Sequence, residues 1–172
     1  PLWNNGNYYD QEQQPTESLA LAMQMMNVAA FHAGFFERTY PRETMKDQEN
    51  LESITGQTTF EKALNAVVMQ SVPYTDLNHW IYTCRMCINY DVSRPYGGDL
   101  DKALSRIRAK VLAVPCRQDA LHPWEFITWV TDRINTLGGN AESYILDSDY
   151  GHMAGILRTD LFAEKVREFL DN

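Results

Sequence analysis

The sequence predicts an α/β protein that contains the end of a doubly wound, mostly parallel sheet together with an all-helical part. Two short apolar segments, residues 111–116 and 142–146, have the length and composition of strands. Residues 124–137 lie between them and carry apolar side chains at steps of three or four, which is the spacing of a helix. Residues 15–90, in contrast, contain helical patterns and no strand pattern.

The all-helical part is predicted to begin with a loop over residues 1–10, because Asn and Gly there are typical of turns. Pro15 then favours the start of a helix, and no helix-breaking residue follows before Gly34. We therefore expect one long helix that opens at residues 15–17 and continues through residues 18–36. Residues 40–56 are charged and are expected to form a surface loop or a short solvated helix.

Two further helices are predicted over residues 60–71 and 77–90. Candidate capping residues precede both helices: Thr58 or Thr59 with Glu61, and Thr75 or Asp76. A linker at 94–98 separates these helices from the α/β part, so the predicted domains are residues 1–98 and 99–172.

The second domain is predicted to contain a short helix over residues 100–107 before the first strand, and a final amphipathic helix over 160–170. The first strand is expected to be buried on both faces, as in a parallel sheet. Two strands do not form a stable parallel sheet with covered faces, so the remaining strands are expected from polypeptide outside this sequence.

Composition and charge limit the possible functions. A formal net charge of −8 argues against nucleic acid or an anionic membrane as the main partner. The longest apolar run is too short to span a bilayer, and no signal peptide is recognised, so we expect a cytoplasmic protein. The first residue is Pro1 instead of a methionine, which we interpret as a processed, cut or truncated start.

Three cysteines make a secreted disulfide framework improbable on number alone. Cys84 and Cys87 form a lone Cys-x-x-Cys, which is either a redox or zinc half-site or two small residues on one helix face. We favour the second interpretation, because no second pair exists. Cys116, at the end of the first strand, is expected in the core.

Asp119 and His152 are the candidate catalytic residues. Each lies in the loop after one of the two predicted strands, and parallel strands place such loops at the same edge of a sheet. His122 is a rival for the histidine role in the same loop as Asp119, whereas His32 and His79 fall in predicted helices. Metal binding by the acidic turn at 147–149 with His152 is a further alternative, but acids in turns more often cap the turn, so we expect no metal.

The pair has the chain order of the acid and base of a nucleophile–acid–histidine triad. Asp119 and His152 are 33 residues apart, which leaves room for one helix and one strand. The nucleophile of such a triad lies N-terminal to both, in a Gly-x-Ser-x-Gly turn between a strand and a helix. This sequence contains no Gly-x-Ser-x-Gly, so it can supply at most the acid and the histidine of a triad and lacks the nucleophile.

Three runs together resemble the homoserine O-acetyltransferase family of α/β-hydrolase-fold enzymes: Trp3-Asn4-Asn5-Gly6-Asn7-Tyr8-Tyr9, Asp76-Leu77-Asn78-His79-Trp80-Ile81-Tyr82 and Leu146-Asp147-Ser148-Asp149-Tyr150-Gly151-His152. The resemblance covers nearly the whole chain as the C-terminal half of that family. It implies an α/β-hydrolase fold with an inserted all-helical lid, which corresponds to residues 15–90 here. It also implies that Asp119 and His152 are the triad acid and base, and that the serine lies in the N-terminal half of the protein, outside this sequence.

The chain departs from the family at the positions that recognise an amino acid. The family usually has Asp after the triad His, to meet the substrate ammonium, where this chain has Met153. The first lid helix of the family usually carries an Arg for the substrate carboxylate and a Tyr about two turns on, where this chain has Met23 and Ala30. Met153 and Met23 are therefore the candidate substrate-binding positions. The resemblance supports acyl-transfer chemistry for this chain more strongly than it supports specificity for homoserine.

The leading hypothesis is a serine-dependent O-acyltransferase with ping-pong transfer from acetyl-CoA or a similar acyl-CoA to a small hydroxyl acceptor. No cofactor is expected to stay bound, and the expected partners are the missing N-terminal half and a second copy of the chain, through the lid helices. An esterase is the alternative within the same chemistry. A non-catalytic dimerisation or partner module is the alternative from a different class.

Overall fold

The computed structural model describes residues 2–41 and 53–171. The chain divides into two compact units. We call Pro1–Val28 with Glu37–Tyr90 the helical unit, and Ala29–Phe36 with Asp91–Asn172 the α/β unit. The predicted boundary between domains was at residues 98 and 99, whereas the boundary between the units follows Tyr90. The α/β unit also includes the segment Ala29–Phe36, which the prediction placed in the helical part.

Within the described residues the helices are α1 Thr16–Ala30, α2 Ala33–Thr39, α3 Thr59–Ser71, α4 Leu77–Asn89, α5 Leu100–Leu104, α6 Trp124–Thr136, α7 Ala154–Leu157 and α8 Ala163–Asp171. The strands in the same ranges are β1 Val111–Ala113 and β2 Ala141–Ser143. Short 3₁₀ helices cover Asn4–Gly6, Val72–Tyr74, Arg94–Tyr96, Gly151–Met153 and Thr159–Leu161. Residues 42–52 of the predicted loop or helix at 40–56 lie outside the described residues. Within the described ranges no single helix is long and apolar enough to cross a membrane, although α1 and α2 counted together across the break between them reach that length and composition.

The prediction of one helix over residues 18–36 is wrong, because the chain breaks between α1 and α2. The backbone N–H of His32 donates to the carbonyl of Asp149 at 3.1 Å and so leaves the helical pattern. The Nδ1 atom of His32 accepts from the N–H of Gly34 at 3.2 Å, which caps the start of α2. A contact distant in sequence therefore overrides the local helical preference of this segment.

The N-terminal segment was predicted as a loop and contains the 3₁₀ turn Asn4–Gly6, in which Asn4 and Asn5 have positive φ angles of 46° and 52°. It is fixed to the start of α4 by side chains. Trp3 Nε1 donates to Asn78 Oδ1 at 2.9 Å, and Asn78 Nδ2 donates to the Gly6 carbonyl at 2.9 Å. Two of the runs that carry the family resemblance therefore pack on each other.

Helices α3 and α4 each begin after one of the two candidate caps that the sequence offered. Thr58 and Glu61 form a capping box, with the Glu61 N–H donating to Thr58 Oγ1 at 3.1 Å. Asp76 caps α4 by accepting from the His79 N–H at 2.6 Å. Behind these helices lies one buried apolar cluster, which consists of Tyr8, Leu19, Ala20, Met23, Val68, Val72 and Leu77.

The sheet of the α/β unit is parallel, with Val111 opposite Ala141 and Ala113 opposite Ser143. Both strands are shorter than predicted, because Pro115 has no N–H to contribute to the ladder. Parallel pairing nevertheless continues after the two strands. The Leu146 N–H donates to the Pro115 carbonyl at 2.8 Å, and Cys116 and Leu146 form an isolated parallel β-bridge. The loops that follow therefore leave the sheet from the same edge, as the sequence predicted.

Strand β1 is half-buried, so the prediction that it is covered on both faces is wrong. Among the described residues only β2 pairs with it, which leaves one edge of β1 without a neighbouring strand. Helix α6 packs on both strands and ends where predicted. Gly138 has a φ of +83° there, and the Gly139 N–H donates to the Ile134 carbonyl at 2.9 Å. The final predicted helix is divided into the 3₁₀ turn Thr159–Leu161 and α8.

Candidate active site

Asp119 and His152 meet at the edge of the sheet. Asp119 lies three residues after Cys116, where pairing beyond β1 ends. His152 lies at the end of the loop that follows Leu146, the partner of Cys116. The Oδ2 atom of Asp119 lies 3.0 Å from Nδ1 of His152. The two side chains therefore lie within hydrogen-bonding distance at the sheet edge where the sequence placed both loops. Because Nδ1 faces the carboxylate, Nε2 of His152 is the ring nitrogen left for a reacting group.

The Asp119 carboxylate is held on its other side by the backbone. Oδ1 accepts from the N–H groups of Leu121 at 2.8 Å and His122 at 3.0 Å. Burial of the side chain is the largest single effect on the pKa of Asp119, and it raises that pKa. The hydrogen bonds from His122, His152 and Leu121 together outweigh burial, so the pKa of Asp119 is lowered. The group is therefore a carboxylate at neutral pH, and its free oxygen is aimed at His152.

Gly151 makes the turn that places His152. Its φ is +56°, in the left-handed region, and a Cβ at this position would lie 2.9 Å from the Ala30 carbonyl oxygen and 3.1 Å from that of Gln118. Both contacts are with backbone atoms, which cannot rotate away. Glycine before the histidine therefore permits the tight loop that any other residue would strain.

His122 lies beside the Asp119–His152 pair, and the sequence had presented it only as a rival. Its Nδ1 atom is 3.2 Å from Nδ1 of His152 and 3.8 Å from Oδ2 of Asp119. Its side chain is 65% exposed, against 32% for His152 and 10% for Asp119. Asp119 therefore contacts the ring of His152 directly, while His122 covers the pair from the solvent side.

Gln118 joins the two loops, and sequence reasoning missed it. Its Oε1 atom accepts from the Ser148 N–H at 2.9 Å, and its Nε2 atom donates to the Asp147 carboxylate. The Cys116 thiol, buried as predicted, donates to the Ser148 carbonyl at 3.3 Å. A glutamine beside a candidate acid has no sequence signature of its own, because its partners come from the loop after the next strand.

A cavity of about 310 Å³ opens at this edge of the sheet. It is lined by Val114, Pro115, Cys116, Asp119, His122, Ile127, His152 and Gly155. The polar groups of the site thus face a space with apolar walls, which is the usual make-up of a small-molecule site.

The two predicted substrate-binding positions lie in different units. Met153 follows His152 directly and is half-buried in the α/β unit. Met23 is buried in the apolar cluster of the helical unit. Cys84 and Cys87 are both exposed on α4.

No family model matches the sequence. The homoserine O-acetyltransferase of Geobacter metallireducens is 28% identical over 171 residues, which cover 99% of this chain and 45% of that protein. The crystal structure of homoserine O-acetyltransferase from Bacillus anthracis matches with a TM-score of 0.89 and 38% identity, over 100% of this chain and 45% of that one. The crystal structure of esterase E22 matches with a TM-score of 0.86 and 25% identity, over 98% of this chain and 45% of that one.

These comparisons confirm the predicted resemblance and the predicted fold class. The chain spans a little under half the length of the relatives it matches. Along almost all of its own length it is similar to homoserine O-acetyltransferases, and its fold is that of the C-terminal part of an α/β-hydrolase.

Proposed function

We propose that this chain supplies the acid and the base of a serine-dependent O-acyltransferase. The observation that carries the proposal is the 3.0 Å contact between Asp119 Oδ2 and His152 Nδ1. A carboxylate in this position holds the imidazole in the tautomer whose Nε2 accepts a proton, and stabilises the imidazolium that forms. The similarity to homoserine O-acetyltransferases along the chain supports acyl transfer as the reaction class.

The proposed reaction has two half-reactions that use the same histidine. His152 takes the proton of a serine hydroxyl while the serine oxygen attacks the acyl-CoA thioester, and the proton then goes to the departing CoA thiolate. In the second half-reaction His152 takes the proton of the acceptor hydroxyl, whose oxygen attacks the acyl-serine. The freed serine oxygen recovers that proton. Asp119 balances the positive charge of the ring in both half-reactions.

The nucleophile in this proposal is a serine on polypeptide outside the 172 residues, in a Gly-x-Ser-x-Gly turn. Two facts support this: the sequence contains no such motif, and the matched relatives are more than twice as long as the chain. The edge of β1 that has no partner strand within residues 2–41 and 53–171 is the place where further strands of the sheet would add. The intact mass of the native protein, or the sequence that precedes Pro1, would test whether such a segment is present.

The chemical test follows acyl-enzyme formation. Mixed with p-nitrophenyl acetate, the 172-residue chain alone should give no stoichiometric burst of nitrophenol, whereas the protein joined to its serine-bearing segment should give one. In the joined protein, Asp119→Asn should lower kcat by about 10³–10⁴-fold, because it removes the charge that fixes and stabilises the ring. His79→Ala, an exposed histidine on α4, is the matched control and should leave the burst unchanged.

Two results would contradict the proposal. A burst that persists after His152→Ala would remove the histidine from the mechanism. A stoichiometric burst from the 172-residue chain alone would mean that it holds its own nucleophile, and Cys116 would be the first residue to examine, since it lines the cavity with Asp119 and His152.

Ester hydrolysis is the second candidate, favoured by the structural similarity to esterase E22. Water then replaces the acceptor hydroxyl, and the residues keep the same roles. The ratio of transfer to hydrolysis separates the two: with acetyl-CoA and a panel of hydroxyl acceptors, a transferase gives acetylated acceptor, whereas an esterase gives acetate at a rate independent of the acceptor.

Homoserine is a poor acceptor in this proposal. Neither Met153 beside His152 nor Met23 in the apolar cluster offers a charge to the ammonium or carboxylate of an amino acid. Each missing charged hydrogen bond costs roughly 1.5–3 kcal/mol of binding. An uncharged primary alcohol should therefore be acetylated with a higher kcat/KM than homoserine, and the reverse order would show that other groups bind the zwitterion.

We also propose that the chain forms a two-fold dimer through the helical unit. Leu21, Met25 and Val28 lie at helical spacing on α1 and are 59%, 67% and 47% exposed. Such an apolar stripe marks an interface, and two-fold symmetry covers it with an identical stripe. Sedimentation should give a dimer for the native protein and a monomer for Met25→Asp. Leu170→Asp, which changes a similarly exposed apolar side chain of α8, should stay dimeric. A native monomer at micromolar concentration would contradict the dimer.

A further inference from the structure

Three possible metal ligands converge at the edge of the sheet. They are Oδ2 of Asp119, Nδ1 of His122 and Nδ1 of His152. The carboxylate oxygen lies 3.0 Å from the His152 nitrogen and 3.8 Å from the His122 nitrogen, and the two nitrogens are 3.2 Å apart. Two unprotonated ring nitrogens and one carboxylate oxygen are a ligand set that zinc and related transition metals favour.

The size of this triangle fits a tetrahedral ion. Zinc binds nitrogen and oxygen at about 2.0–2.2 Å, so neighbouring ligand atoms of a tetrahedral site lie roughly 3.3–3.6 Å apart. The three observed separations lie on both sides of that range. Shifts of a few tenths of an ångström would equalise them, and the His122 side chain, which is 65% exposed, has room to make such a shift.

Backbone contacts already hold the acidic ligand in place. The Leu121 and His122 N–H groups bind Oδ1 of Asp119 and leave Oδ2 for the ion. Pro123 restricts the backbone of His122, the residue before it. All three ligands line the 310 Å³ cavity, which leaves space for a fourth ligand such as water.

We propose that Asp119, His122 and His152 form a binding site for a divalent transition-metal ion, with Zn²⁺ as the probe. The binding step needs no oxidant or co-reactant. The Nδ1 proton of His152 moves to Nε2 through solvent, and Nδ1 then binds the metal in place of the hydrogen bond to Asp119. This inference goes beyond the proposed acyl transfer and does not depend on it, because the three ligands all come from the chain itself.

Metal binding changes which ring nitrogen of His152 carries the proton. With the metal on Nδ1, the Nε2 atom carries the proton and cannot accept one from a hydroxyl group. The bound ion therefore blocks the general-base role proposed for His152, and its removal by a chelator restores that role. His122 belongs to the proposed metal site and has no role in the proposed acid–base pair, so a change at His122 tests the metal site separately.

The test measures binding directly. The metal-free full chain is titrated with ZnCl₂ by calorimetry and with Co²⁺ by visible absorption. We expect one ion per chain at this site, a Co²⁺ spectrum without a thiolate band, and a Tm that rises with Zn²⁺ concentration. His122→Ala should weaken binding by about 100-fold or more, since loss of a residue that only supports a ligand already costs about 10–100-fold.

The controls separate this site from other metal-binding groups. His79→Ala, an exposed histidine elsewhere in the chain, should bind as the native chain does, and so should Cys84→Ser with Cys87→Ser. Circular dichroism checks that His122→Ala is folded, and His122→Gln is the second variant if it is not. Equal Zn²⁺ affinity in the native chain and the folded His122 variant would overturn the proposal. A thiolate band that disappears with the cysteines, with no remaining site, would overturn it too.

Discussion

The Oε1 atom of Gln118 accepts a hydrogen bond from the Ser148 N–H at 2.9 Å, across 30 residues of sequence. The same side chain donates to the Asp147 carboxylate. Because Asp119 follows Gln118 and His152 ends the loop of Ser148, these two bonds fix the distance between the candidate acid and base. Gln118 is therefore a positioning residue for the site.

Replacing Gln118 with methionine should destabilise the α/β unit. The variant keeps a side chain of similar length but loses both hydrogen bonds, and the N–H of the buried Ser148 is left without its partner. We expect the free energy of unfolding in urea to fall by about 1–3 kcal/mol. The control is Gln13→Met at an exposed position, which should change stability by less than about 0.5 kcal/mol. Equal stability of the two variants would show that the bonds do not hold the loops.

Replacing Gly151 with alanine should be more damaging. The new Cβ would meet the carbonyl oxygen of Ala30 at 2.9 Å with φ at +56°, so the loop must move and carry His152 with it. We expect a loss of about 2 kcal/mol or more in the free energy of unfolding. The matched control is Gly155→Ala in α7, where an added Cβ meets no atom within 4 Å. That substitution should be neutral or slightly stabilising, because alanine favours a helix.

The stability of the helical unit should depend on pH through Asp76. Hydrogen bonds from the His79 N–H and from the Tyr8 hydroxyl, the latter at 2.7 Å, lower the pKa of this carboxyl group. A carboxyl group with a lowered pKa in the folded state stabilises that state above its unfolded pKa of about 3.9, and the contribution is lost as the pH falls through the folded value. Unfolding of the native chain should therefore become easier below about pH 4.

Asp76→Asn tests this dependence, because asparagine also caps a helix but does not ionise. The difference in stability between the native chain and this variant should shrink as the pH falls below about 4. Tyr8→Phe removes one of the bonds that lower the pKa and should keep only part of the dependence. Chemical unfolding followed by fluorescence gives the measurement in a Trp124→Phe, Trp129→Phe background, in which Trp3 and Trp80 of the helical unit are the emitting tryptophans. A pH-independent difference would show that ionised Asp76 does not stabilise this unit.

The sequence by itself determined the features that depend on neighbouring residues. The caps of α3 and α4 and the end of α6 act within one helical turn, so the order of residues suffices to place each within one residue. The strand–helix–strand pattern placed Asp119 and His152 after successive parallel strands, and parallel pairing then brings both loops to one edge of the sheet.

Only the tertiary structure decided where the long helix breaks and which side chains surround the acid and base. The break at His32 follows from a hydrogen bond to Asp149, and the positions of Gln118 and His122 follow from a loop about 30 residues further along the chain. Such contacts leave no periodic trace in the sequence. They depend on the alignment of the two strands, on the interruption at Pro115 and on the turn at Gly151, and these appear together only when the chain has folded.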